Sequence, residues 1–115
     1  MSAIPETVRA ALESLRELGG DDLVKQMVSV FIEYSAGRVR ALESAIAIGD
    51  LTATAEAAHA LKGSSRQLGL TAMADACQAV EMASKKGELD ASRALVPTVI
   101  ETYNAAALTL RAATA

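Results

Sequence analysis

His59 is the only histidine in the chain, and its neighbours are of types that would suit an anion. The local string is Ala58-His59-Ala60-Leu61-Lys62-Gly63-Ser64-Ser65. A neutral imidazole nitrogen is a nucleophile and a base near pH 7. On a helix, Lys62 at three positions on and Gly63 at four are both direct neighbours of the ring. Lys62 would set a positive charge where an anion would sit if the ring were phosphorylated. Gly63 is the odd choice, because glycine inside a helix costs roughly 1 kcal/mol relative to alanine. Beside an exposed ring it removes a side chain that would obstruct another molecule. Each residue also has a plain reading: His59 and Lys62 as solvated surface, Gly63 as close helix packing. The elements that carry them must decide.

Those elements read as helices. Apolar residues recur at three and four positions rather than at two, and strand signals are nearly absent. A first helix fits Glu6 to Leu18, with Pro5 at its start and Val8, Leu12 and Leu15 on one face. Gly19-Gly20 ends it, and Asp21 or Asp22 can cap the next. That next helix carries a long stripe of Val24, Val28, Phe31, Ser35, Val39, Leu42 and Ile46, which continues past Gly37 and stops at Gly49. Asp50 can cap a third helix from about Leu51 to Leu68, ending at Gly69. A fourth begins near Thr71, turns Met73, Cys77 and Val80 inward and stops near Gly87. The last, with Asp90 as a candidate cap, buries Val96, Val99, Tyr103, Ala106 and Leu110. Pro97 lies well inside that pattern, so a kink or a late start is expected. Short connections favour antiparallel neighbours. The expected fold is all-α: an antiparallel up-down four-helix bundle with a short additional N-terminal helix, forming one domain over residues 1–115.

At about 100° per residue, Leu51, Thr54, Ala58, Leu61, Ser65 and Leu68 share one side of the third helix. His59, Glu56, Gly63 and Arg66 share the other, with Lys62 at the edge. His59 therefore faces away from the core, and so does Gly63, which argues against helix packing as its reason.

Composition narrows the remaining possibilities. Aromatic residues are only 3% of the 115, so the core must be aliphatic and alanine-rich; Tyr34 and Tyr103 fit positions in it or at its edge. The net charge is −3 with no Lys/Arg cluster, which gives no electrostatic footprint for nucleic acid. No stretch approaches the ~20 apolar residues of a membrane span. Met1-Ser2-Ala3-Ile4-Pro5-Glu6 lacks a basic segment followed by an apolar run, and a single cysteine demands no oxidising compartment. A cytoplasmic monomer is expected, with Cys77 as a small core residue. One histidine and one cysteine far apart do not make a zinc site, no Glu-x-x-His pair suits a bundle di-metal centre, and no glycine-rich phosphate loop follows a strand.

The string His59-Ala60-Leu61-Lys62-Gly63-Ser64-Ser65, followed by Leu68-Gly69-Leu70, resembles the signature of histidine-containing phosphotransfer (HPt) domains. The likeness extends to the Leu18-Gly19-Gly20-Asp21 turn and to Ala41-Leu42-Glu43 running to Gly49-Asp50. It implies that His59 accepts a phosphoryl group through Nε2 from the phosphoaspartate of a receiver domain and passes it to another receiver. Lys62 would help neutralise the phosphoryl oxygens, and Gly63 would leave room for the receiver. A nucleophilic Nε2 requires the hydrogen on Nδ1, and the family usually supplies its acceptor from the next helix. Counting back from the turn at Gly69, the window opposite His59 contains Gln78 and Glu81. Glu81 matches the family position, with Gln78 in reserve. Arg66 stands where the family is often small and could contact phosphate or partner, or simply solvate the face.

The implied partners are response-regulator receiver domains, including the receiver of a hybrid histidine kinase. No cofactor is expected, and any Mg²⁺ would belong to the receiver. Two other readings stay open: an adaptor of the same fold that binds receivers without transfer, and a dimeric ATP-binding kinase core, against which stands the absence of a nucleotide-binding domain.

Overall fold

Two glycines interrupt the first apolar stripe, and the chain turns there. In the computed structural model, which describes residues 4–115, helix α1 spans Glu6–Ala47 with a break at Gly19 (φ −150°, ψ 15°) and Gly20 (φ 73°, ψ −168°). Gly20 occupies a region that side-chain-bearing residues rarely enter. The first arm of α1 is the expected short N-terminal helix and buries Val8 and Leu12. The second arm buries the whole stripe from Val24 to Ile46, and Gly37 does not interrupt it. Residues 1–3 of the stretch read above for a leader lie outside the described residues.

Helix α2 spans Leu51–Gln67, α3 Thr71–Lys85 and α4 Leu89–Ala113. Residues 48–50, 68–70 and 86–88 connect them, each with a glycine at positive φ. Connections this short force each helix to run back along its predecessor. Helix α1 packs on α2 and α4, and α3 packs on the same two, which closes an up-down bundle of 43 × 24 × 18 Å. The core is aliphatic, with Phe31 its only fully buried aromatic ring. Tyr103 is half-buried and donates its hydroxyl to the Ile32 carbonyl at 2.9 Å, tying α4 to α1.

Asp50 caps α2 as expected, accepting the Ala53 N–H at 3.0 Å. Two other expectations need correcting. Among the described residues Asp21 and Asp22 accept no backbone N–H; the last turn of the first arm brings Arg16 within reach, and its Nε binds Asp21 at 2.8 Å. Asp90 does not cap α4, which begins one residue earlier at Leu89, with Glu88 in the cap position; Asp90 sits in the first turn, where its charge still favours the helix N-terminus. Of the two outcomes left open at Pro97, a kink or a late start, the late start is excluded. Helix α4 runs through the proline, and both Pro97 and Arg93, whose carbonyl loses its partner there, are exposed to water.

The first arm of α1 also locks the α2–α3 turn. Thr7 Oγ1 donates to the Gly69 carbonyl at 2.6 Å, and a Cβ on Gly69 would overlap the Thr7 backbone carbonyl. This turn sets the register of α2 against α3, on which the site below depends.

Candidate functional site

Register places Glu81 opposite His59. The inward stripe of α3 contains Cys77, Val80 and Ser84, and Glu81, four residues after Cys77, falls on it. Its side chain is therefore only 4% exposed. A buried carboxylate must be paired, and this one is paired three times. His59 Nδ1 lies 2.8 Å from Oε2, Lys62 Nζ 2.6 Å from Oε1 and Lys85 Nζ 2.9 Å from Oε2. Burial alone would raise the Glu81 carboxyl; the hydrogen bonds from Lys62, Lys85 and His59 outweigh it and hold the group down to about 2.

An ionised carboxylate only accepts. Nδ1 must then carry the ring hydrogen and donate it, and the lone pair of a neutral imidazole falls to Nε2. The His59 side chain is 68% exposed.

Lys62 sits differently from its sequence reading. Its side chain is 13% exposed, and its ammonium turns toward α3, donating to Gln78 Oε1 at 2.8 Å as well as to Glu81. Gln78 therefore orients the lysine rather than the histidine. Gly63 faces open space: nothing would lie within 4 Å of a Cβ built on it. Ser64 and Ser65 bond back to the Ala60 and Leu61 carbonyls at 3.2 and 2.6 Å. Arg66 is exposed in the last turn of α2 and makes no ion pair among the described residues. Cys77 is buried, and burial pushes its thiol up to about 12, too high for thiolate chemistry.

Two features escaped the sequence reading. One is Lys85, whose signal was available: it follows Glu81 by four on a helix. The other is an apolar groove of about 500 Å³ between α1 and α2, lined by Leu15, Met27, Val30, Phe31, Tyr34 and Leu68 with Ser64 and Gln67. Val30 is 53% and Tyr34 42% exposed, so Tyr34 lies further out than the core edge. Groove and histidine are linked by one ridge of α2, His59–Gly63–Gln67, at successive steps of four.

A helical bundle that presents a histidine held from behind by a carboxylate defines a class of protein. The sequence profile described as the Hpt domain matches residues 26–112, and the chain belongs to that family, the histidine phosphotransfer carriers of phosphorelays. Among solved structures it is similar to the crystal structure of histidine-containing phosphotransfer protein B (HptB) from Pseudomonas aeruginosa PAO1, with 26% identity and a TM-score of 0.86 over 96% of this chain and 93% of that one. No curated protein sequence matches. No described helix is long and apolar enough to cross a membrane.

Proposed function

We propose that His59 is the residue that takes the phosphoryl group, accepting it from the aspartyl phosphate of one receiver domain and giving it to the aspartate of another. One observation carries the reading: an exposed ring whose Nδ1 is 2.8 Å from a buried carboxylate held ionised by two lysines. In the forward step the Nε2 lone pair forms the N–P bond while the P–O bond to the receiver's aspartate breaks. The bonding pair leaves on the carboxylate oxygen. The ring keeps its Nδ1 hydrogen and becomes cationic, and Glu81 balances that charge. The reverse step, with a second receiver, regenerates neutral His59.

Glu81 is the positioning residue of this scheme, and Gln78 acts through Lys62. Lys62 lends positive charge to the site from behind the carboxylate. Gly63 lets the receiver's active site reach Nε2, and the Val30–Tyr34 groove along the same ridge receives its apolar surface. The contact is small, as transient signalling interfaces are. Arg66, beside that ridge, meets the partner. The protein acts in the cytoplasm as a monomer. It passes on a phosphoryl group drawn from a hybrid kinase's receiver and makes none from ATP. It uses no cofactor of its own, and the Mg²⁺ of the reaction sits on the receiver.

The test is direct. Incubated with a phosphorylated receiver, the protein should acquire label that is labile in acid and stable in base, and His59→Gln should acquire none. Receivers that bind without ever labelling the wild type would make the bundle an adaptor.

A further inference from the structure

The two lysines on Glu81 differ in what they are free to do. Lys62 is 13% exposed and holds two acceptors on α3, so it braces α2 against α3. Lys85 is 65% exposed and holds one acceptor, the same Oε2 that takes His59 Nδ1. His59 and Lys85 line one open cavity of about 560 Å³, and Lys62 does not. When Lys85 lets go, Glu81 keeps Lys62 and the imidazole N–H, so the buried carboxylate stays paired. Letting Lys62 go would instead strip Oε1 and leave Gln78 unbonded.

Charge points the same way. With a neutral ring, Glu81, Lys62 and Lys85 sum to one excess positive charge before any phosphoryl group arrives. The charged groups lining the cavity are Glu56 from α2 and Glu81 and Lys85 from α3, and none comes from α1 or α4 among the described residues. Glu56 would repel a phosphoryl group, which leaves Lys85 as the cavity's one cation.

We propose that Lys85 is the phosphate-binding residue of the site: its ammonium leaves Glu81 Oε2 and donates to a phosphoryl oxygen on His59, while Lys62 stays as the brace. The proposal rests on His59 as the acceptor. No covalent bond to Lys85 forms, and no proton is lost; one N–H···O contact is exchanged for another to a more highly charged acceptor.

Phosphorylation by phosphoramidate, a small donor that needs no receiver, separates the two claims. The ³¹P resonance of the labelled protein is followed against pH for the wild type, Lys85→Gln, Lys85→Arg and Lys62→Gln. A donating cation favours the dianionic phosphoryl group, so its protonation midpoint should rise by about one pH unit in Lys85→Gln. It should return toward the wild-type value in Lys85→Arg and move less in Lys62→Gln. The labelling rate should fall roughly tenfold in Lys85→Gln, the loss of one charge-assisted contact. The melting temperature should drop more in Lys62→Gln, which loses a nearly buried brace with two acceptors, than in Lys85→Gln, which loses one contact of an exposed side chain. A midpoint unchanged in Lys85→Gln, or moved more by Lys62→Gln, overturns the assignment to Lys85 and leaves His59 as acceptor. Failure of the wild type to label at all removes both.

Discussion

Gly63 and Gly69 belong to one short stretch of chain, yet what surrounds them is opposite in kind. Beside Gly69 the molecule is full: φ is +69°, and a Cβ would meet the Thr7 backbone. Beside Gly63 the molecule stops, and a Cβ would meet nothing. The first glycine is required by the fold, which cannot be built with anything larger. The second is tolerated by the fold at some cost, and in the proposed scheme it serves something outside it. If His59 is the acceptor, the two positions mark where structural constraint ends and the constraint of a partner begins.

The largest effect should come from breaking the first side. Gly69→Val places a β-branched residue in left-handed backbone and drives it into a carbonyl that has no side-chain freedom to move. A loss of roughly 3 kcal/mol is expected, which for a domain of this size lowers Tm by on the order of 15 °C. A thermal melt checks it; a Tm within a few degrees of the wild type would mean that the first arm of α1 lifts off the turn cheaply.

Glu81 comes next, because it belongs to both sides at once, buried like Gly69 and facing the ring like Gly63. Its folded pKa, down at about 2, lies below the ordinary carboxylate value. In the interval between, the unfolded chain binds the extra proton, so stability rises with pH. The contribution is complete above the unfolded value, is lost as pH falls toward 2, and amounts to on the order of 3 kcal/mol at most. Glu81→Gln should therefore be less stable than the wild type at pH 7, and the two denaturation curves should converge as the pH approaches 2. A gap that persists there would point to packing rather than charge. The same variant should label more slowly at His59, since a neutral amide no longer requires Nδ1 to hold the hydrogen.

How much of this was legible before the coordinates depended on whether the deciding contact lay within one helix or between two. The α1 stripe from Val24 to Ile46 and the outward face of His59 and Gly63 follow from 100° per residue alone, and the structure reproduces both. Counting back through the Gly69 turn left Gln78 and Glu81 opposite His59, and the family resemblance chose Glu81; its depth was underestimated. Only the packing of α2 on α3 converts a residue bordering a stripe into one 4% exposed. Lys62 was misjudged for the same reason: a wheel puts it at the edge, and the acceptors that draw it inward are on another helix. Capping at Asp21 and Asp90 failed because cap chemistry marks several candidate positions per turn, and neighbours such as Arg16 choose among them. The register of Pro97 turned on whether one unpaired carbonyl would face water, which a single helix pattern does not specify.

The smallest change in stability should come from filling the open side, and there function and fold should move in opposite directions. Gly63→Leu replaces a poor helix former with a good one at an exposed position, a gain of roughly 0.5–1 kcal/mol. The added side chain stands on the ridge between His59 and Gln67, over the path a receiver would take to Nε2. Transfer from a phosphorylated receiver should slow by roughly tenfold or more, the cost of misplacing the reacting atoms by about an ångström. Labelling by phosphoramidate should scarcely change, because a donor of that size passes beside a leucine. Comparing the two donors is what gives the experiment its force. Equal slowing with both would place the obstruction at the ring itself, and no slowing with either would mean that receivers approach from the Lys85 side of His59 rather than over Gly63.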